Sequence, residues 1–82
     1  MSCNLLLVKI DRRSQAAPEV QKTLTEFGRL IRARLGLHEA SPTYCAEDGL
    51  VILELRGKGE DTKALEEALS RIPGVTVLAV EL

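Results

Sequence analysis

Aromatic side chains are nearly absent from this chain: its 82 residues include no tryptophan, one tyrosine (Tyr44) and one phenylalanine (Phe27). That leaves little on which nucleic-acid bases could stack. Cysteine is equally sparse. Cys3 and Cys45 have no metal-ligand spacing and are too few for a disulfide framework, so both read as ordinary thiols. Neither sign of charge dominates, with 11 basic and 12 acidic residues and a formal net charge of −1. A nucleic-acid partner needs a basic surface to displace counterions from phosphates, and none is visible. The longest apolar run, Leu5–Val8, is far below transmembrane length, and the N-terminus has no signal-peptide layout. A protein of the reducing cytoplasm, with no membrane contact, is expected.

What is present is a short, strongly aliphatic stretch, Gly49–Gly57 (GLVILELRG), with a glycine at each end. It is too short for an ordinary helix and rich in branched side chains, so it reads as a central strand. Asn4–Ile10 makes a first strand. A helix follows from Ser14 or Ala17 to Phe27, with Val20, Leu24 and Phe27 at helical spacing and Pro18 in its first turn. Arg29–Leu35 alternates as a second strand, and Gly36–Asp48 reads as a long polar connection. A second helix, Asp61–Arg71, has Asp61 as N-cap and a stripe of Leu65, Ala68, Leu69 and Ile72. Pro73-Gly74 ends it, and Val75–Leu82 is the last strand.

The order β-α-β-β-α-β, with right-handed crossovers, predicts one α+β domain over residues 1–82. Its form is a ferredoxin-like two-layer sandwich, a four-stranded antiparallel sheet with both helices on one face. So small a chain buries only about 60–65% of its unfolded surface, so oligomerisation is the expected support.

Two helices leave the other sheet face open. Alternation sends Leu6, Val8, Ile10, Ile31, Ala33, Leu35, Val51, Leu53 and Leu55 toward the helices. It sends Leu5, Leu7, Lys9, Leu30, Arg32, Arg34, Leu50, Ile52 and Glu54 to the open side. An antiparallel face in water is normally polar, and an apolar one marks a partner surface. A homodimer or homotetramer formed there is expected, with Arg32, Arg34 and Glu54 as rim ion pairs. The plain alternative is a monomer with a partly apolar face.

Other chemistry is weakly signalled. His38, Glu39, Cys45, Glu47 and Asp48 crowd the long connection, and His38 and Cys45 are weak metal candidates. Their spacing matches no ligand pattern, so a solvated loop is the simpler reading. Gly57-Lys58-Gly59 lacks a phosphate-loop pattern and is followed by Glu60 and Asp61, so it reads as a tight turn. Arg12 and Arg13 sit where a ferredoxin-like acylphosphatase holds phosphate, but no Asn in the later strands could position a water. Metal chaperones of this fold need a C-x-x-C, and RNA-binding versions need aromatics on the strands, whereas Phe27 and Tyr44 are placed outside them. No cofactor and no enzymatic activity are expected.

The stretches ARLGLHE (from Ala33) and EDGLVILELRGKGEDTKALEEALSRIPGVTVLAVEL (from Glu47), with the DRRS turn and the helix bearing Val20, Leu24 and Phe27, carry a family likeness. They resemble the small stand-alone iron-only hydrogenase system regulators. That family is similar in fold to ACT regulatory domains and to the C-terminal domain of nickel-responsive repressors. The resemblance implies an oligomer whose interface holds an effector. ACT domains bind amino acids beside a glycine in the turn after the first strand. This chain has Asp11, Arg12, Arg13 and Ser14 there, a departure that argues against an amino-acid ligand; Asp11, Arg12 and Arg13 remain candidates for some other effector.

The expected function is a non-enzymatic regulatory, ligand-sensing module that works as a homo-oligomer, with a link to an iron-only hydrogenase system implied by the resemblance. The alternatives are a protein–protein assembly module without a small ligand, and a metal-binding module using the central connection.

Overall fold

Leu6, Val8 and Ile10 alternate with less buried neighbours along β1 (Asn4–Ile10), as the period of two requires. The computed structural model describes residues 4–11, 13–41, 44–56 and 59–82, with side chains at all of these except 13–15, 37–41 and 44–48. After β1 come α1 (Arg13–Glu26), a 3-10 turn (Gly28–Leu30), β2 (Ile31–Ser41), β3 (Tyr44–Leu55), α2 (Glu60–Ser70) and β4 (Val75–Glu81). The sheet order is β2-β3-β1-β4 and every neighbouring pair is antiparallel. The ferredoxin-like α+β sandwich is thereby established.

The core is aliphatic. Leu6, Val8 and Ile10 of β1 and Leu53 and Leu55 of β3 meet Ala16, Val20 and Leu24 of α1 and Leu65 and Leu69 of α2. Both helices present their apolar residues at three- and four-residue steps, with Phe27 and Ile72 closing the stripes from just beyond the helix ends. Val75 and Val77 of β4 pack against this cluster from the sheet side.

Several local readings are corrected. The stretch Gly36–Asp48 is no loop: β2 runs on to Ser41 and β3 begins at Tyr44, forming a long hairpin. Twelve residues at about 3.3 Å each span about 40 Å, in keeping with a longest molecular dimension of 43 Å. The polar residues there lack the apolar alternation that marks a half-buried strand. Tyr44 accordingly opens a strand instead of lying outside one. Leu30 belongs to the 3-10 turn and not to β2; the carbonyl of Leu30 accepts from Arg56 N–H at 2.7 Å, which ties the entry of β2 to the exit of β3. Finally, α1 starts at Arg13, so Pro18 lies inside it. There its missing N–H forfeits the bond to the Ser14 carbonyl.

At the start of α2 the N-cap is Gly59, with φ of +75°, and Glu60 and Asp61 both lie in the first turn. Asp61 is therefore not the cap; its charge favours the helix N-terminus through the dipole instead. At the far end, Gly74 has φ of +85° and its carbonyl accepts from Asp11 N–H at 2.7 Å. A Cβ there would stand 2.9 Å from the Asp11 carbonyl oxygen. Gly74 thus clasps the exit of β1 to the entry of β4.

Candidate functional site

The open sheet face is organised by one irregularity in β2. Ile31 opposes Leu55, and the next pair is Ala33 with Glu54, so Arg32 and Ala33 share one partner residue. That is a β-bulge. Residues directly opposite in an antiparallel ladder share a face, so the parity of β2 inverts from this point. Arg34 opposes Leu53 of the core side, and Leu35 opposes Ile52 of the open side.

The consequence is an apolar row across all four strands. Leu35 opposes Ile52, Ile52 opposes Leu7, and Leu7 opposes Leu78. Leu35 is 55% and Leu78 59% exposed, far more than a Leu packed in a core. On one side of this row stand Ala33, Glu54, Leu5 and Val80; on the other stand Leu50, Lys9 and Thr76, with Leu37 as the backbone partner of Leu50. Glu54 pairs with Arg32 at 4.0 Å across the bulge, and Lys9 with Asp11 at 3.9 Å along its own strand. Both ion pairs are long and well exposed, so each contributes about 0–1 kcal/mol. The charges sit beside the apolar row and leave it uncovered.

Of the residues singled out from sequence, Leu5, Leu7, Lys9, Arg32, Leu50, Ile52 and Glu54 lie on the open face. Arg34 does not. It is on the helix face, where its Nη1 donates to Gln21 Oε1 of α1 at 3.3 Å. Leu30 lies ahead of β2. Ala33 and Leu35, expected beneath the helices, are on the open face because the bulge turned them over. Leu78 and Val80 complete that face from β4; VTVLAVEL is apolar on both sides, so only its pairing to β1 assigns its faces. The bulge has no sequence signal in Ile31-Arg32-Ala33.

Asp11 directly follows β1, half-exposed, its N–H donating to the Gly74 carbonyl. Arg12 and the side chain of Arg13 lie outside the described residues, as do Cys3 and the side chains of His38, Glu39, Cys45, Glu47 and Asp48. In the backbone ladder His38 opposes Gly49 and Cys45 opposes Ala40, so those two weak metal candidates are not cross-strand partners. Among the described residues no group of three potential metal ligands occurs. No helix is long and apolar enough to cross a membrane among those residues.

A shallow groove of about 390 Å³ lies at the start of α2, lined by Asn4, Gly59, Glu60, Thr62, Lys63, Glu66 and Glu81. Thr62 Oγ1 is buried beside it without a hydrogen-bond partner among the described residues. Carboxylates outnumber the single Lys63 in its lining, so the helix N-terminus there is not arranged for an anion.

No family model matches the chain, and no curated protein matches its sequence. Solved structures do. The uncharacterized protein TM1266 from Thermotoga maritima superposes with a TM-score of 0.82 at 24% identity, covering 100% of this chain and 99% of that one. CPII, a nitrogen regulatory PII-like protein from Thiomonas intermedia K12 bound to ADP, AMP and bicarbonate, gives 0.62 at 11% identity, covering 100% and 93%. A formyltetrahydrofolate deformylase from Pseudomonas putida KT2440 gives 0.59 at 11% identity, with this chain spanning only 28% of it. What these likenesses share with the present chain is the fold, a ferredoxin-like sandwich that proteins of separate functions employ.

Proposed function

We propose that this chain is a small, non-enzymatic regulatory module that senses a small molecule and works as a cytoplasmic homo-oligomer assembled through its open sheet face. The observation that carries the proposal is the Leu35–Ile52–Leu7–Leu78 row, an uncovered apolar line across the whole sheet. Exposed apolar surface of that continuity is where proteins of this size bind partners. The structural likeness to the nitrogen regulatory PII-like protein supports the sensing role. The residue resemblance to the iron-only hydrogenase system regulators supports that system as its setting.

The mechanism is linkage. An effector that binds one assembly state better than another shifts the population toward it, by no more than its difference in affinity. Native mass spectrometry and a thermal-shift series on protein purified without chelator test this, with ADP, AMP, bicarbonate and the common amino acids as probes. An effector present at 100 times its Kd adds about 2.7 kcal/mol, which raises the Tm of a domain this small by roughly 10 °C or more. An assembly whose melting responds to none of the probes, and which carries no retained small molecule, refutes sensing and leaves an assembly module.

A further inference from the structure

We propose that two copies of this chain pack open face to open face about a two-fold axis lying close to the Leu35–Ile52–Leu7–Leu78 row, setting Lys9 of each copy against the partner's Glu54. The inference rests on the open face being an assembly surface, and it specifies the occupant and the register.

The argument begins with the ladder. Leu7 and Ile52 are directly opposed at the centre of the β1–β3 pair. Lys9 stands two residues beyond Leu7 in one direction, and Glu54 stands two residues beyond Ile52. Because the strands are antiparallel, those two steps run opposite ways. Lys9 and Glu54 are therefore placed symmetrically about the Leu7–Ile52 pair, with opposite charge. A face-to-face two-fold that exchanges these positions brings Lys9 onto the partner's Glu54 twice over. This is the self-complementarity an isologous interface requires.

The geometry is compatible with known sheet packing. With strands about 4.8 Å apart and two residues spanning about 6.8 Å, the axis lies about 20° from the cross-strand direction. The strands of the two copies then cross at about 40°, close to the roughly 30° of aligned sheet packing. The same axis crosses each apolar row over its own counterpart at about 40°, so that at the centre Leu7 meets the partner's Leu7 and Ile52 the partner's Ile52. The ion pairs Lys9–Asp11 and Arg32–Glu54 are long, at 3.9 Å and 4.0 Å, and such contacts contribute about 0–1 kcal/mol each.

Area sets the class of interface. Four strands of seven residues present a face of about 450 Å², so two copies together bury about 900 Å², the size of a weak or transient interface. A helix or peptide laid across the row would cover only part of it, and would leave the opposed Lys9 and Glu54 without a reciprocal use.

Lys9→Glu, Glu54→Lys and a mixture of the two test the proposal by sedimentation and native mass spectrometry. Each single variant sets two like-charge contacts across its own homodimer, so its dissociation constant rises by about tenfold or more. In the mixture both contacts become opposite-charged, so the heterodimer forms in preference to either homodimer, with wild-type-like affinity. The double variant Lys9→Glu/Glu54→Lys likewise regains self-association. Heterodimer formation also demonstrates that both variants are folded. A wild-type chain that stays monomeric at tens of micromolar overturns the choice of occupant and gives the face to a different protein. Single variants that dimerise like wild type, or a mixture without heterodimer preference, overturn the register. A dimer that obeys the charge pattern but melts identically with and without every probe compound leaves this inference standing and refutes sensing alone.

Discussion

Gly74→Ala should destabilise this protein by about 2–4 kcal/mol, and the components are separable. Gly74 has φ of +85°, in the left-handed region, where a Cβ costs about 1–2 kcal/mol. The added carbon would also meet the Asp11 carbonyl oxygen at 2.9 Å, closer than real Cβ contacts come. That oxygen is backbone, so relief requires the β1 exit to move. Moving it stretches the 2.7 Å bond from Asp11 N–H to the Gly74 carbonyl, a bond worth about 1 kcal/mol. At 4–8 °C per kcal/mol for a domain of this size, the Tm falls by roughly 10–25 °C. Gly59→Ala is a comparison without the close contact: φ is +75° and ψ −131°, a backbone region that is essentially glycine-only, and no described atom outside its chain neighbours lies within 4 Å of the added carbon. It should cost the backbone part alone, about 1–3 kcal/mol. Gly28→Ala, with ordinary φ and open space, should lie within about 0.5 kcal/mol of wild type. Calorimetry or circular-dichroism melts of the three variants measure the series. A loss at Gly74 no larger than about 1–2 kcal/mol, the backbone part alone, would refute the clasp between Asp11 and Gly74.

The bulge predicts that Leu35→Lys changes the stability of the fold itself by less than about 1 kcal/mol while weakening self-association, because Leu35 is 55% exposed on the open face. Leu53→Lys, at a position with no exposure, should abolish folding, since a buried unpaired ammonium costs several kcal/mol. Urea titration at low protein concentration distinguishes them, and a collapse of the Leu35 variant to match Leu53 would show that β2 keeps a simple alternation. Thr62→Val should be neutral or stabilising by about 1 kcal/mol. It exchanges a buried hydroxyl without a hydrogen-bond partner among the described residues for a methyl of similar shape; a clear loss in the same titration would mean that the hydroxyl is hydrogen-bonded in solution.

The four strands and two helices were legible because each carries its own local pattern. Val20, Leu24 and Phe27 repeat at helical spacing, Leu6, Val8 and Ile10 alternate, and Pro73-Gly74 can hardly be anything but a stop. The β2–β3 hairpin was half missed. Its polar composition between Gly36 and Asp48 carries no apolar alternation, the pattern that marks a half-buried strand. Most of the candidate site followed from alternation, with Leu5, Leu7, Leu50, Ile52 and Glu54 placed on the open face. Arg34 and Leu35 were exchanged because one residue of bulge inverts everything that follows it.

The order of elements, the aliphatic core and the presence of surplus apolar residues on the strands were determined by sequence alone, since periodicity and turn chemistry act over a few neighbouring residues. Which of those apolar residues remain uncovered was decided only by the tertiary structure. Strand pairing assigned Leu78 to the open face, and the slip between Ile31 and Ala33 delivered Leu35 to the same row. Facing is a relation between strands distant in the chain, and no local pattern encodes the register that sets it.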